Sequence, residues 1–123
     1  MKPPLVMSIQ SQVVHGHVGN SAAVFPMQAA GLEVAAIPTV IFSNTPDYPT
    51  LRGAPLPPDL FADLLLGAEE RGLPQRADWL MTGYIGSVEV GRLTADFVAR
   101  CKAANPRLRY LCDPVMGDDG PGL

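Results

Sequence analysis

The sequence predicts an α/β fold in which crossover helices join a mainly parallel sheet. Four short apolar runs have the length and composition of buried strands: Leu5–Ile9, Glu33–Phe42, Trp79–Tyr84 and Arg109–Cys112. Longer stretches with helical spacing of apolar residues separate these runs. Strands that alternate with helices predict βαβ units, whose crossovers are expected to be right-handed.

Length and composition limit the class of protein. A chain of 123 residues favours one domain, and 47% hydrophobic against 17% charged residues excludes a disordered chain. The net charge of −3 lacks the basic footprint of a nucleic-acid-binding protein, and no Lys/Arg cluster indicates a membrane surface. No secretory signal follows Met1, which predicts the cytoplasm. Cys101 and Cys112 are therefore expected to be reduced, buried small hydrophobes.

The first half of the chain is expected to contain two strands and one helix. Residues 10–19 are interpreted as a polar, glycine-containing loop after the first strand. A helix is predicted over Ser21–Ala30, with Asn20 or Ser21 as its N-cap, and Pro26 is expected to kink or shorten it. Pro38 interrupts the second apolar run, which predicts two short strands or an edge position.

The second half repeats the alternation. Residues 43–58 are rich in proline and are interpreted as a loop. Apolar residues at i, i+4 spacing predict a helix over Asp59–Arg71. Ser87 is a good N-cap for the next helix, with Glu89 favourably placed in its first turn, and Asn105-Pro106 is expected to end it.

Polar or unusual residues follow each predicted strand. Parallel sheets bind ligands beyond the carboxyl ends of their strands, where the strand order reverses, so these residues are the candidate site. Ser11 lacks the glycines of a nucleophile elbow, and its hydroxyl is interpreted as a hydrogen-bonding group for a ligand. Tyr84 suits either the wall of a planar-ligand site or a rim position. Asp113, fixed before Pro114, suits a magnesium-water shell or a phosphate-bound cation.

The segment Gly16–Asn20 connects a strand to a helix. It matches neither common phosphate-loop pattern, so it either presents backbone N–H groups to a ligand or is a turn that requires glycine. His15 and His17 have no His/Cys set nearby to complete a metal site. They are interpreted as surface or pocket-wall histidines.

Several motifs together resemble the pyridoxal kinases of the ribokinase-like superfamily. They occur in the family's order over nearly the whole chain, as Ser8-Ile9-Gln10-Ser11, Gly16–Asn20, Phe42-Ser43-Asn44, Thr82-Gly83-Tyr84 and Cys112–Asp118. The resemblance implies a ribokinase-like fold. It also implies transfer of the ATP γ-phosphate to the 5′-hydroxymethyl group of pyridoxal, pyridoxine or pyridoxamine.

The resemblance also assigns roles to individual residues. Ser11 matches a serine that hydrogen-bonds the substrate. Three further residues match positions that line the pocket for the substrate ring: Val18, Phe42 and Tyr84. The family's substrate-contacting threonine falls on Pro46 here, so Thr45 or Asp47 is expected to replace it. The family also usually has His where this chain has Gln12. Asp113 is expected near the ATP phosphates and their metal, with Asp118 as a second metal-linked carboxylate.

The implied cofactors are ATP and Mg²⁺, with a monovalent cation by analogy, and the family is commonly a homodimer. Its catalytic aspartate would lie beyond residue 123, so residues 1–123 are interpreted as the N-terminal, substrate-binding part of the kinase domain. The 123 residues alone are expected to be inactive, because phosphoryl transfer depends on the missing charge-stabilising groups. Two alternatives are another ribokinase-like enzyme, such as hydroxymethylpyrimidine kinase, and a catalytically incomplete ligand-binding or assembly fragment.

Overall fold

One sheet organises the chain. The structure, a computed structural model, describes residues 2–115, and within them five strands form this sheet. In chain order the strands are β1 (Leu5–His15), β2 (Glu33–Asn44), β3 (Gly53–Pro55), β4 (Trp79–Thr82) and β5 (Arg109–Cys112). Their spatial order is β3-β2-β1-β4-β5, and β3 alone among them runs antiparallel to its neighbour. The predicted α/β fold with a mainly parallel sheet is confirmed.

Helices cover both faces of this sheet. They are α1 (Asn20–Ala29), α2 (Pro58–Glu70), α3 (Leu73–Arg76) and α4 (Val88–Ala104). Helix α1 packs on β1 and β2, whereas α2 and α4 pack against each other over the other face. None of the helices within residues 2–115 combines the length and apolar composition that crossing a bilayer requires.

The main hydrophobic core lies between the sheet and the pair α2–α4. Alternate residues of β1 point into it, because successive side chains of a strand face opposite sides of the sheet. The helices contribute fully buried aromatic rings. The largest buried apolar side chains are Met7, Ile9, Phe61, Leu65, Leu80 and Phe97. The opposite face of β1 is polar near its middle, where Ser8 contacts Asn20 of α1.

The first strand is longer than its sequence indicates. Residues 10–15, interpreted as part of a loop, belong to β1, so that interpretation is wrong for this part. The strand continues because β2 offers pairing partners as far as His15 opposite Asn44. Tertiary pairing therefore overrides the polar composition of this segment. The short strand β3 and helix α3 are likewise not predicted by the sequence.

Pro38 does not divide the second strand, since β2 runs unbroken from Glu33 to Asn44. β2 lies between β3 and β1 and is not an edge strand, so the edge position holds only for the stretch around Pro38 that has no β3 partner. On its outer side β2 pairs with β3 only over Val40–Phe42, so Pro38 needs no N–H donor toward a neighbour there. Pro26 also lies inside α1 without ending it, and the N–H of Ala30 bonds to the Pro26 carbonyl at 3.0 Å.

The sequence predicts the N-cap correctly for one helix and wrongly for another. The Ser87 Oγ accepts a hydrogen bond from the N–H of Val90 at 3.2 Å, which confirms the predicted N-cap of α4. The predicted cap of α1 by Asn20 or Ser21 is wrong, because Gly19 occupies the N-cap position without a side-chain hydrogen bond. Asn20 instead turns its amide into the sheet, and Ser21 bonds to the backbone of Val13.

The two cysteines have different environments. Cys101 is buried in the core as expected, but the same expectation is wrong for Cys112, which is exposed on β5. Every residue of β5 is exposed, because this strand has a neighbour on one side only among the described residues.

This difference predicts one fast-reacting thiol in the native protein. Burial raises the pKa of the Cys101 thiol to about 11, so little reactive thiolate forms at pH 8. Titration with dithionitrobenzoate is expected to show a single fast phase that Cys112→Ser removes. A fast phase that survives in that variant would contradict the assignment.

Candidate functional site

A cavity of about 420 Å³ lies at the point where the strand order reverses. The chain passes from β1 to β2 on one side and later returns to β4 on the other, so the reversal falls between β1 and β4. Ligands of open α/β sheets bind at such points. The described lining comprises Gln10, Ser11, Val13, Val18, Gly19, Phe42, Asn44, Pro46, Leu51, Gly83, Tyr84, Asp113 and Val115.

Ser11 lies on the floor of this cavity and is 7% exposed. The N-terminus of α1 approaches it closely, since a Cβ built on Gly19 would come within 2.3 Å of the Ser11 Oγ. Its hydroxyl can both donate to and accept from a ligand in the cavity.

Three side chains predicted to form a ring pocket line the same cavity: Val18, Phe42 and Tyr84. Tyr84 is 40% exposed as a residue, and its backbone is held because the Thr39 Oγ1 donates to its carbonyl at 2.6 Å. The aromatic ring thus projects from an anchored backbone. An apolar wall opposite a polar floor suits a flat ligand with polar substituents.

Thr45 and Asp47 lie outside the lining of the cavity and bond to each other. The Thr45 Oγ1 donates to the Asp47 carboxylate, and this bond holds the pKa of that carboxyl below its usual value. Pro46, between them, lines the cavity. In this arrangement the segment offers the cavity an apolar surface rather than a hydroxyl.

Asp113 reaches the cavity from the end of β5. Its N–H donates to the Thr82 carbonyl at 2.9 Å, which continues the parallel pairing of β4 and β5 by one residue. Ser11, Tyr84 and Asp113 therefore share one cleft. Asp118, predicted as a second metal-linked carboxylate, lies outside the described residues, as does Asp119.

The described part of the chain contains no group of three His, Cys, Asp or Glu side chains placed to hold a metal. Asp113 by itself still fits Mg²⁺, which commonly takes one or two carboxylates and fills its shell with water and phosphate oxygens. His15 packs edge-on against Tyr48, with ring centroids 5.9 Å apart, and neither His15 nor His17 lines the cavity.

Eight residues of the described lining were not predicted as individual site residues: Gln10, Val13, Gly19, Asn44, Pro46, Leu51, Gly83 and Val115. Gln10 precedes Ser11 directly, so alternation along a regular strand would place the two side chains on opposite faces. The register between β1 and β2 shifts at this point, where Gln10 pairs with Pro38 and Gln12 with Ile41. Here β2 advances by three residues while β1 advances by two, so the extra residue of this irregularity belongs to β2. Gln10 and Ser11 both line the cavity beside it, and no sequence signal marks the irregularity.

A second cavity of about 470 Å³ lies beside the first, between β5 and α4. The two share Gly83, Tyr84 and Val115 in their walls. In the second cavity the Tyr110 hydroxyl and the Thr82 Oγ1 are 2.7 Å apart. Burial raises the Tyr110 pKa, and the hydrogen bond with Thr82 opposes that rise. The described lining of this cavity holds no Lys or Arg.

Comparison with characterised sequences points to one class of enzyme. The chain is 48% identical over 117 residues to "Pyridoxal kinase PdxY" of Leifsonia xyli subsp. xyli, which covers 95% of this chain and 41% of that protein. It is 45% identical to "Pyridoxine/pyridoxal/pyridoxamine kinase" of Bordetella avium, over 96% of this chain and 40% of the relative. The chain thus spans about two fifths of the length of these curated relatives. No family model matches the chain.

Solved structures point the same way. The pyridoxal kinase from Leishmania donovani in complex with ADP and pyridoxamine superposes with a TM-score of 0.88 at 38% identity, covering 96% of this chain and 42% of that one. The pyridoxal kinase from Entamoeba histolytica has a TM-score of 0.89 at 26% identity, over 99% of this chain and 43% of its own.

Proposed function

Because this chain is similar to pyridoxal kinases over at least 95% of its length, we propose that it is the N-terminal, substrate-binding part of such a kinase. The reaction is ATP-dependent phosphorylation of the 5′-hydroxymethyl group of pyridoxal. The observation that carries the proposal is the single cleft that joins Ser11, Tyr84 and Asp113 at the strand-order reversal. That cleft combines a hydrogen-bonding floor, an aromatic wall and a carboxylate.

The pyridine ring would occupy the space between the wall and the floor. Apolar and aromatic surface for its faces comes from Val18, Phe42 and Tyr84, and the Ser11 hydroxyl would bond a polar ring substituent. Thr45 and Asp47 bond to each other in the structure, so a direct contact with substrate would require that hydrogen bond to break. Pro46 is the residue of this segment that would touch the ring.

Asp113 would serve the phosphate end of the site. Its carboxylate stands at the cavity rim, where it can hold a water of the Mg²⁺ that accompanies ATP. A Mg²⁺ held there would supply positive charge beside the transferred phosphoryl group. Asp118 belongs to the same proposal as a second metal-linked carboxylate, together with a monovalent cation. A homodimeric state and a cytoplasmic location also belong to it, by similarity to the family.

Catalysis by residues 1–123 alone is not expected. The resemblance places the catalytic aspartate beyond residue 123, and the chain spans about 41% of its relative's length. The described residues would bind the vitamer and position it. Turnover would require the groups that stabilise charge on the transferred phosphoryl.

The proposal is tested by ATP-dependent phosphorylation with the complete kinase of which residues 1–123 are the proposed N-terminal part, because these residues alone are not expected to turn over. Pyridoxal, pyridoxine and pyridoxamine are supplied with Mg-ATP, and phosphorylated product is measured by mass spectrometry. Hydroxymethylpyrimidine is the competing substrate. Product from at least one B6 vitamer, in preference to hydroxymethylpyrimidine, supports the proposal; a protein that binds ATP but phosphorylates only hydroxymethylpyrimidine, or no vitamer, overturns it.

Ser11→Ala is expected to weaken vitamer binding by about tenfold, because it removes one hydrogen bond of about 1.4 kcal/mol to the ligand. The dissociation constant is measured by calorimetric titration. Ser87→Ala is the matched control, since it removes the cap of α4 away from the cavity and costs about 1 kcal/mol of stability. Equal vitamer affinity of the two variants would contradict the role of Ser11.

A further inference from the structure

Gln10 presents its carboxamide to the cavity, and buried residues on the side away from the cavity fix the orientation of that carboxamide. Its side chain is 8% exposed and lies on the lining beside Ser11 and Gly83. The carboxamide has two chemically opposite ends, an N–H₂ donor and an oxygen acceptor. Which end faces a ligand is decided by the buried residues on the other side of Gln10.

Asn20 sets the direction of this hydrogen-bond chain. It is 3% exposed, and its Nδ2 donates to the carbonyls of Ser8 at 3.2 Å and Ile37 at 3.3 Å. Backbone carbonyls only accept, so the Nδ2 end must point toward them. The Asn20 Oδ1 therefore points toward Ser8 as an acceptor.

Ser8 transmits that direction to Gln10. Its Oγ, on a residue that is 0% exposed, lies 2.7 Å from the Asn20 Oδ1 and must donate its single hydrogen there. Toward Gln10, at 3.0 Å, the same Oγ can then only accept. The Gln10 Nε2 is consequently the donor, and the Gln10 Oε1 takes no part in this hydrogen-bond chain.

The Gln10 Oε1 has no hydrogen-bond partner within residues 2–115 and lies beside Gly83. A Cβ on Gly83 would come within 2.6 Å of it, so glycine at this position leaves room for the oxygen. This oxygen is accessible to water in the free protein, because no buried side-chain polar atom within residues 2–115 lacks a partner. A ligand that displaces that water without supplying a donor leaves the acceptor unpaired, at a cost in free energy. A ligand that brings a donor to this oxygen is therefore favoured over one that does not.

We propose that Gln10 is a specificity-determining residue, a fixed hydrogen-bond acceptor that selects ring ligands carrying an N–H or O–H donor at the matching position. The inference rests on the proposed function, since the substituted pyridines of the B6 class carry such donors. Asn20 and Ser8 are positioning residues, which act through Gln10 without lining the cavity.

The test is a double-mutant cycle between Gln10 and the donors of the ligand. Wild-type full chain and Gln10→Met are titrated with pyridoxine and with three analogues that each lack one donor. These are the 3-deoxy compound, the 4′-deoxy compound and the compound with C–H in place of the ring nitrogen, which is a donor only in its protonated form. Gln12→Met is the matched control, because Gln12 lies two residues along the same strand, is exposed and is absent from the described lining.

One analogue is expected to bind the wild-type chain about tenfold more weakly than pyridoxine, with that difference reduced to less than twofold in Gln10→Met. Gln12→Met should retain the wild-type difference. Equal differences in wild type and Gln10→Met for all three analogues overturn the inference while leaving the proposed function intact. A wild-type chain that binds no B6 vitamer overturns the proposed function, and this inference falls with it.

Ser8→Ala tests whether Ser8 positions Gln10 for ligand binding or only stabilises the fold. It leaves Gln10 in place but frees its amide to rotate, so the dissociation constant for pyridoxine is expected to rise about threefold. A lower melting temperature with an unchanged dissociation constant overturns the positioning role. Should Gln10→Met fail to fold, this variant and the analogue series decide the question.

Discussion

Gly19→Ala is expected to lower the free energy of unfolding by about 3 kcal/mol and to abolish tight vitamer binding. Gly19 has φ +51°, a backbone conformation that favours glycine. A Cβ there would come within 2.3 Å of the Ser11 Oγ and within 2.4 Å of the Ser11 carbonyl oxygen. The hydroxyl can rotate away, but the carbonyl belongs to a paired strand and can move only with the backbone. Urea denaturation followed by circular dichroism measures the change.

Gly31→Ala is the matched control for that measurement. Gly31 also has a positive φ, +93°, but nothing lies within 4 Å of an added Cβ. Its substitution therefore carries the backbone cost alone, about 1 kcal/mol. Equal losses of stability in the two variants would contradict the close approach of α1 to Ser11.

Asn20→Leu is expected to destabilise the fold by about 3 kcal/mol, because it leaves buried polar groups without partners. The leucine is similar in size but cannot donate to the carbonyls of Ser8 and Ile37, or accept from the Ser8 Oγ. These bonds join α1 to both β1 and β2, so their loss loosens one wall of the cavity as well. The stability change is measured by the same denaturation.

Ser21→Ala is the comparison for Asn20→Leu, because it removes a polar contact of α1 that lies outside the buried network. Its Oγ bonds to the Val13 N–H and carbonyl at 3.0 Å each, in a partly buried position. Water can replace part of that bonding, so a loss of about 1 kcal/mol is expected. A larger loss for Ser21→Ala than for Asn20→Leu would be incompatible with the buried network as described.

The candidate site was predictable in part. Ser11, Tyr84 and Asp113 could be chosen because each follows a recognisable strand, and carboxyl ends of parallel strands meet at one edge. Thr45 and Asp47 were chosen from a motif alone, and the structure places them outside the described lining and bonded to each other. Whether a hydroxyl faces the cavity or its neighbour depends on loop geometry, which composition does not encode.

The positions of four of the five described strands and of the longer helices followed from the sequence by itself, since apolar spacing is a local property that any window of the chain retains. Ser87 as a cap is of the same kind, because it needs only the backbone three residues ahead. The tertiary structure decided the continuation of β1 to His15, the bulge beside Ser11 and the direction of the Asn20–Ser8–Gln10 chain. Each of these depends on a partner contributed by another element, and pairing between distant segments leaves no periodic trace in either one.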